Sequence, residues 1–198
     1  MLFSHDTEHS LACVVDLVNS SPSAGTDELL PDLDSLGDFV ARHEVSDVSR
    51  LTLTDLRAVH ALRDEIRPIF GTTDCGVAAR IVNSLISQAP VTPRLTDHDG
   101  YHWHMHYFSP GAALADHLAV DCGMAIAQVV SVEEVERLRV CDAPDCDQVL
   151  VDLSRNRSRR FCDVNGCANR VHVAAYRARR AHGDAVATPA RGRTTQAR

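Results

Sequence analysis

Apolar residues recur at helical spacing through most of the first 132 positions. Leu11, Val14, Val15 and Val18 precede the breakers Ser20, Ser21 and Pro22, which predicts a first helix over 9–20. Beyond a loop from Ser23 to Pro31, Leu33, Leu36, Phe39 and Val40 predict a second helix ending near His43. Thr54 is the expected N-cap of a third, in which Leu56, Val59, His60, Leu62, Arg63 and Ile66 precede Pro68. Asp74 is the expected cap of a fourth, with Val77, Ala78, Ile81, Leu85 and Ile86 on one side before Pro90. After Pro90 the period changes to two. Residues 91–96 and 101–108 flank the turn-like Asp97-His98-Asp99-Gly100 and predict a β-hairpin. In its second arm Tyr101, Trp103, Met105 and Tyr107 alternate with His102, His104 and His106, so a strand places the three imidazoles on one face. A long helix to about Val132 follows Ser109-Pro110-Gly111. Its inner stripe is Leu114, Leu118, Cys122, Ala125, Ile126, Val129 and Val130, interrupted by His117 and Asp121.

From Glu133 to Val140 there is neither glycine nor proline, which predicts a stiff junction, strand-like at Arg137 to Val140. Next come Cys141 and Cys146, with four residues between them, and Cys162 and Cys167 at the same spacing. Two such thiolate pairs, with room between them for a hairpin, can close a tetrahedron around Zn2+ and leave no position open for substrate. One structural zinc per chain is therefore expected. Gln148 to Leu153 and Arg159 to Phe161 are the expected arms of the hairpin, turning at Arg155-Asn156. A last helix is expected from Asp163 to about Ala181. On its helical wheel Val171, Ala174 and Ala178 lie close to Cys167, a narrow apolar stripe toward zinc and hairpin. Residues 183–198 lack periodicity and read as a disordered tail.

Charge sharpens this division. The net charge of −7 combines 21 acids and 7 arginines over 1–136 with 6 acids and 13 arginines over 137–198. An acidic body is repelled by nucleic acid and a basic end is attracted to it, so polyanion contact is assigned to the C-terminal third. All 20 basic residues are arginine, whose planar fork suits phosphate and guanine edges. The N-terminus has acids where a signal peptide carries basic residues, and no window approaches the ~18 apolar residues of a membrane span. A cytoplasmic location without membrane contact is expected; there the seven cysteines stay reduced, and paired spacings favour metal over disulfides. Cys13, Cys75 and Cys122 are expected to be core thiols. The sequence holds no phosphate-cradling glycine loop, nucleophile elbow or HExxH, so no enzyme is expected.

The run VDLSRNRSRRFCDVNGCANR resembles the CGNR zinc-finger family over residues 137 to about 181. It shares all four cysteines, Asp152, Ser154, Asn156, Arg159, Arg160, Asn169 and Arg170. Ala168 stands where the motif has glycine, and Phe161 where tryptophan is usual. The portion before it is similar to the ABATE domain that accompanies this finger in stress-induced transcription regulators. That similarity rests on the DLVNS run at Asp16 to Ser20 and the WHMHYF run at Trp103 to Phe108. The resemblance implies binding of double-stranded DNA by the finger and a mainly helical sensing or assembly domain in front of it.

The expected architecture is thus α+β and mainly α: a helical domain with a β-hairpin over 1–134, a small four-cysteine zinc finger of hairpin plus helix over 135–182, and a tail over 183–198. Arg155, Arg157, Arg159 and Arg160 are expected to clamp phosphates, and Asn169, Arg170, Arg177, Arg179 and Arg180 to reach the duplex from the helix. Asn19, His102, His104 and His106 are the candidates for a small-molecule or second-metal site in the first domain. Homodimerisation is left open. The alternative is a protein-interaction module whose basic finger docks on an acidic partner or on its own N-terminal domain.

Overall fold

Each α-helix of the acidic portion up to residue 87 begins on a side chain that caps it. In the computed structural model, which describes residues 3–96, 103–162 and 166–186, α1 (His5–Asn19) starts at Ser4, whose hydroxyl accepts from the Thr7 amide. For α2 (Leu33–Arg42), Asp32 and Ser35 exchange side-chain and backbone hydrogen bonds in a capping box. The third helix, α3 (Leu53–Ile66), is capped by Thr52 and not by the expected Thr54. Asp55, three residues on, explains the choice: its carboxylate accepts from the Thr52 amide at 2.8 Å while Thr52 Oγ1 accepts from the Asp55 amide. Asp74 caps α4 (Cys75–Ser87) as expected, accepting from the Gly76 and Val77 amides.

These helices pack around α5 (Leu114–Ser131), which touches α1, α3, α4 and the hairpin. A single inner stripe was the expectation. Instead Leu118, Ala119, Val120, Cys122, Ala125, Ile126 and Val129 are all buried, so the helix is enclosed on most sides and its apolar content is spent in several directions. At Gly123 an added Cβ would stand 2.9 Å from Ile86 Cγ1, so the absence of a side chain sets the close approach of α4 and α5.

The hairpin of β1 (Val91–Thr96) and β2 (His104–Phe108) is antiparallel, with Leu95 opposite Met105 and Arg94 opposite His106. Its faces are sorted by α5. His106 and Phe108 turn inward, Phe108 stacking on His117 with ring centroids 3.4 Å apart, while Met105 and Leu95 are exposed. The expected turn at 97–100 and His102 lie outside the described residues.

The second small sheet departs from expectation. β4 (Val149–Val151) pairs with β3 (Leu138–Val140), which precedes the first cysteine pair, and not with 159–161. Burial explains the pairing. Leu138, Val149 and Val151 enter the core that α1 and α5 share, whereas Arg159 and Arg160 carry charges that could not follow. The sheet is fastened there by polar contacts: the Gly71 amide donates to Leu138 O, Gln148 Nε2 to Ala24 O and Arg67 to Asp147 O. The junction before it is a short 3-10 turn, Val135–Arg137, continuous with β3, which forms within the stretch expected to be strand-like.

The chain divides into two compact units, Met1–Phe161 and Cys162–Arg198. In the second, α6 (Cys167–Val186) starts after Gly166, at φ 55°, and runs past the expected end at Ala181. Residues 187–198 lie outside the described residues. Among the described residues the architecture is therefore mainly helical with two two-stranded sheets, and no helix there is long and apolar enough to cross a membrane.

Candidate metal centre

Cys141 follows directly on β3, and Cys146 lies three residues before β4. Between them the chain folds back, with the Cys141 amide donating to Gln148 O at 2.8 Å and Asp145 in the left-handed region at φ 61°, a conformation aspartate tolerates. Cys162 and Cys167 bring their sulfurs to 3.6 Å of each other, and Cys167 opens α6. All four Sγ atoms lie within 4.8 Å of one another and all four residues are buried. Tetrahedral zinc with Zn–S bonds of ~2.3 Å needs sulfurs ~3.8 Å apart, so the donor set fits one Zn2+ by chemistry and by spacing. No carboxylate or imidazole among the described residues joins the four. A closed shell of four thiolates holds the fold and leaves no coordination position for substrate. Arg170 adds a donor at 3.3 Å from Cys167 Sγ, which offsets negative charge on the sulfur.

Asp152 organises the arginine-rich turn. Fully buried, it accepts from the Ser154 amide, the Ser154 hydroxyl and the Arg159 amide. Burial pushes its carboxyl up, but these hydrogen bonds and Arg139 outweigh that and hold it below the ordinary range. The pattern alone did not reveal two other organisers. Arg137, buried beside β4, donates to Asp152 O and Ser154 O at 2.7 and 2.8 Å, and Arg139 reaches Arg157 O and Arg159 O. Both stand in or beside a short strand, where an arginine reads as solvent-facing. Glu134 is drawn into the same network: burial raises its carboxyl, and Arg157 and Arg137 more than reverse this.

Among the residues expected to meet DNA, Arg155, Arg157 and Arg160 are exposed and Arg159 is half-buried. Arg157 already pairs with Glu134 and Arg160 with Asp142, each at 2.6 Å. On α6, Asn169, Arg170, Arg177, Arg179 and Arg180 are all exposed. So are Ala174 and Ala178, contrary to the expected inward stripe; past Cys167 and the half-buried Val171 the described part of this helix has no buried residue. Ala168 is exposed as well, so its methyl obstructs no close approach.

Asn19 lies elsewhere than on a ligand surface. It is 5 % exposed, and its amide is taken up by the backbone of β4: Val149 N donates to Oδ1 at 2.7 Å and Nδ2 donates to Val149 O at 2.9 Å. His104 stands in β2 opposite Thr96, and His106 packs tilted against Phe108 with centroids 5.0 Å apart. Among the described residues the four cysteines are the one place where three or more metal-ligating side chains converge. His106 does, however, line a half-open cavity of about 570 Å³, together with residues of α1, α5 and the loop after α2. Sequence reading missed this cavity, because its walls come from four segments far apart in the chain.

A family model described as "CGNR zinc finger" matches residues 137–180. A second, the ABATE family, described as "Putative stress-induced transcription regulator", matches residues 11–132. No curated protein matches the chain.

Proposed function

Because this chain belongs to the ABATE family, matched over more than half its length, and carries a CGNR zinc finger behind that domain, we propose that it is a zinc-dependent DNA-binding transcription regulator. The observation that carries the reading is the exposed, arginine-bearing α6, whose first residue, Cys167, is one of the four sulfur ligands. Zinc bound there fixes the first turn of a helix that has almost no apolar support of its own. Arg155 to Arg160 contact phosphates, and Asn169, Arg170, Arg177 and Arg180 read base edges, with Arg179 on the backbone. The reading assigns no catalysis, since four thiolates complete the shell. It places the protein in the reducing cytoplasm, where those thiolates persist. The cavity of the acidic domain receives a small effector; its volume lies in the ~300–1,000 Å³ range of small-molecule pockets.

Fluorescence anisotropy with labelled duplex DNA and the zinc-loaded protein tests this. Log affinity is expected to fall linearly with log salt, with a slope of about −0.9 per phosphate neutralised. Arg155→Ala, at an exposed arginine with no ion pair among the described residues, should make the slope shallower by about one. Affinity that is flat between low and physiological salt overturns the proposal. A second reading, in which the basic finger docks on an acidic protein surface, draws support from the pairing of Arg157 and Arg160 with Glu134 and Asp142. It predicts no salt-dependent affinity for duplex DNA.

A further inference from the structure

We propose that the cavity of the acidic domain binds a lipophilic organic cation. This rests on the effector reading above and gives it a chemical class. The cavity lies wholly within Met1–Phe161, bounded by α1, α5, β2 and the loop after α2. Three carboxylates line it, Asp6, Glu44 and Asp121, and neither arginine nor lysine does so among the described residues. The sequence around it is acidic too, so the field within the cavity repels anions and concentrates cations.

Asp121 is the strongest local case. Its Oδ2 faces His117 Nε2 at 3.0 Å, while Oδ1 is buried with no hydrogen-bond partner among the described residues. The carboxylate is therefore only partly compensated, and a positive group nearby is favoured more than it would be in water. His117 itself is held from the other side by the Phe108 ring, and His43 lies 3.1 Å from Asp16, so these imidazoles are already engaged by the fold.

An apolar body is required by the rest of the lining. Leu95, Trp103 and Met105 are 60 %, 65 % and 41 % exposed, and all three line the cavity, with Met124 contributed by α5. Large apolar side chains left open at one place mark a binding surface, and here the surface is concave. Indole faces attract cations, and thioethers adapt to irregular apolar shapes. A small inorganic ion would leave that apolar area wet; a lipophilic cation satisfies both walls at once.

The test uses two probes with the same four phenyl groups and opposite central charge, tetraphenylphosphonium and tetraphenylborate. Each is titrated into the full-length, zinc-loaded protein at about pH 8, above the ordinary titration range of carboxylates and imidazoles. Trp103, the chain's single tryptophan, reports binding through its fluorescence, and calorimetry gives the stoichiometry. Tetraphenylphosphonium should bind one per chain, with a Kd at least about tenfold below that of tetraphenylborate, a difference of ~1.4 kcal/mol. Asp121→Asn should cut that selectivity several-fold. Asp6→Asn, at a half-exposed position in the first turn of α1, should do so to a smaller degree and keeps the test available if Asp121→Asn fails to fold. Equal or tighter binding of the borate overturns the proposal, as does absence of saturable binding. Full selectivity retained in both variants, or exclusion of the phosphonium by self-association of the protein, also overturns it. DNA anisotropy on the same preparation is an independent readout: lost probe selectivity with intact salt-dependent DNA binding removes the cation and leaves the regulator.

Discussion

Asn19 shows how much one buried amide can hold together. It ends α1, and both its donor and its acceptor are spent on the main chain of Val149, three residues past Cys146. β4 has β3 on one edge; Asn19 supplies the hydrogen bonds that a further strand would give on the other. Asn19→Ala leaves the Val149 amide and carbonyl buried and unpaired, so it is expected to destabilise the fold by about 2–4 kcal/mol. Urea unfolding followed by circular dichroism measures this, and a shift under about 0.5 kcal/mol would contradict the assigned role. The same helix places Cys13 in the cavity wall. There Cys122 lies in hydrogen-bonding reach of Cys13, and that contact together with burial pushes the Cys122 thiol well above its ordinary range, so Cys122 stays a protonated core thiol.

Among the elements, α6 depends on the metal more than any other helix. The α-helices of the acidic portion each bury at least two large apolar side chains, roughly 1.5–3 kcal/mol apiece, whereas the described part of α6 buries only Cys167. A structural zinc can contribute ~10 kcal/mol or more of apparent folding free energy. Metal analysis should find about one zinc per chain, with thiolates occupying all four positions. Cys162→Ser should lose that zinc and, with it, helical ellipticity from α6. Zinc content and melting unchanged by the substitution would rule out the four-thiolate site. The two strands before the second cysteine pair behave differently, because Leu138, Val149 and Val151 are anchored in the acidic domain's core. Expressed from residue 133 onward, the finger would lose that support.

Over the whole molecule, acid stability is set by carboxylates held below their ordinary range. For Glu28, burial raises the carboxyl, but hydrogen bonds from Arg63 and the Leu30 amide and the charge of Arg63 outweigh it. Glu134 and Asp152 are lowered in the same sense. A group depressed on folding binds fewer protons in the native state, so its contribution is present above the unfolded value, near 4, and is lost as pH falls through the folded value. Thermal stability should therefore drop below about pH 4. Glu28→Gln should lose about 2 kcal/mol at neutral pH by stripping the buried Arg63 of its charged partner, and the deficit should shrink as pH falls below that range. A deficit independent of pH would show that Glu28 contributes by packing alone.

Features that depend on neighbours along the chain were legible without any coordinates. Apolar period marked the helices and the first hairpin, short-range caps such as Asp74 marked helix starts, and cysteine spacing marked the metal site. Thr52, the true cap of α3, was legible in principle through Asp55 three residues on. Competition between distant segments is settled only by packing. Gln148 to Leu153 could pair forward or backward, and only burial of Leu138 and Val151 together selects β3. The histidine strand has two chemically distinct faces, and α5, by offering His117 to stack on Phe108, decides which turns inward. Asn19 reads as a polar helix end until β4 arrives from 130 residues away. The cavity, drawn from α1, α5, β2 and the loop after α2, exists in no single stretch of sequence, because a concave surface is a property of packed elements and not of any one of them.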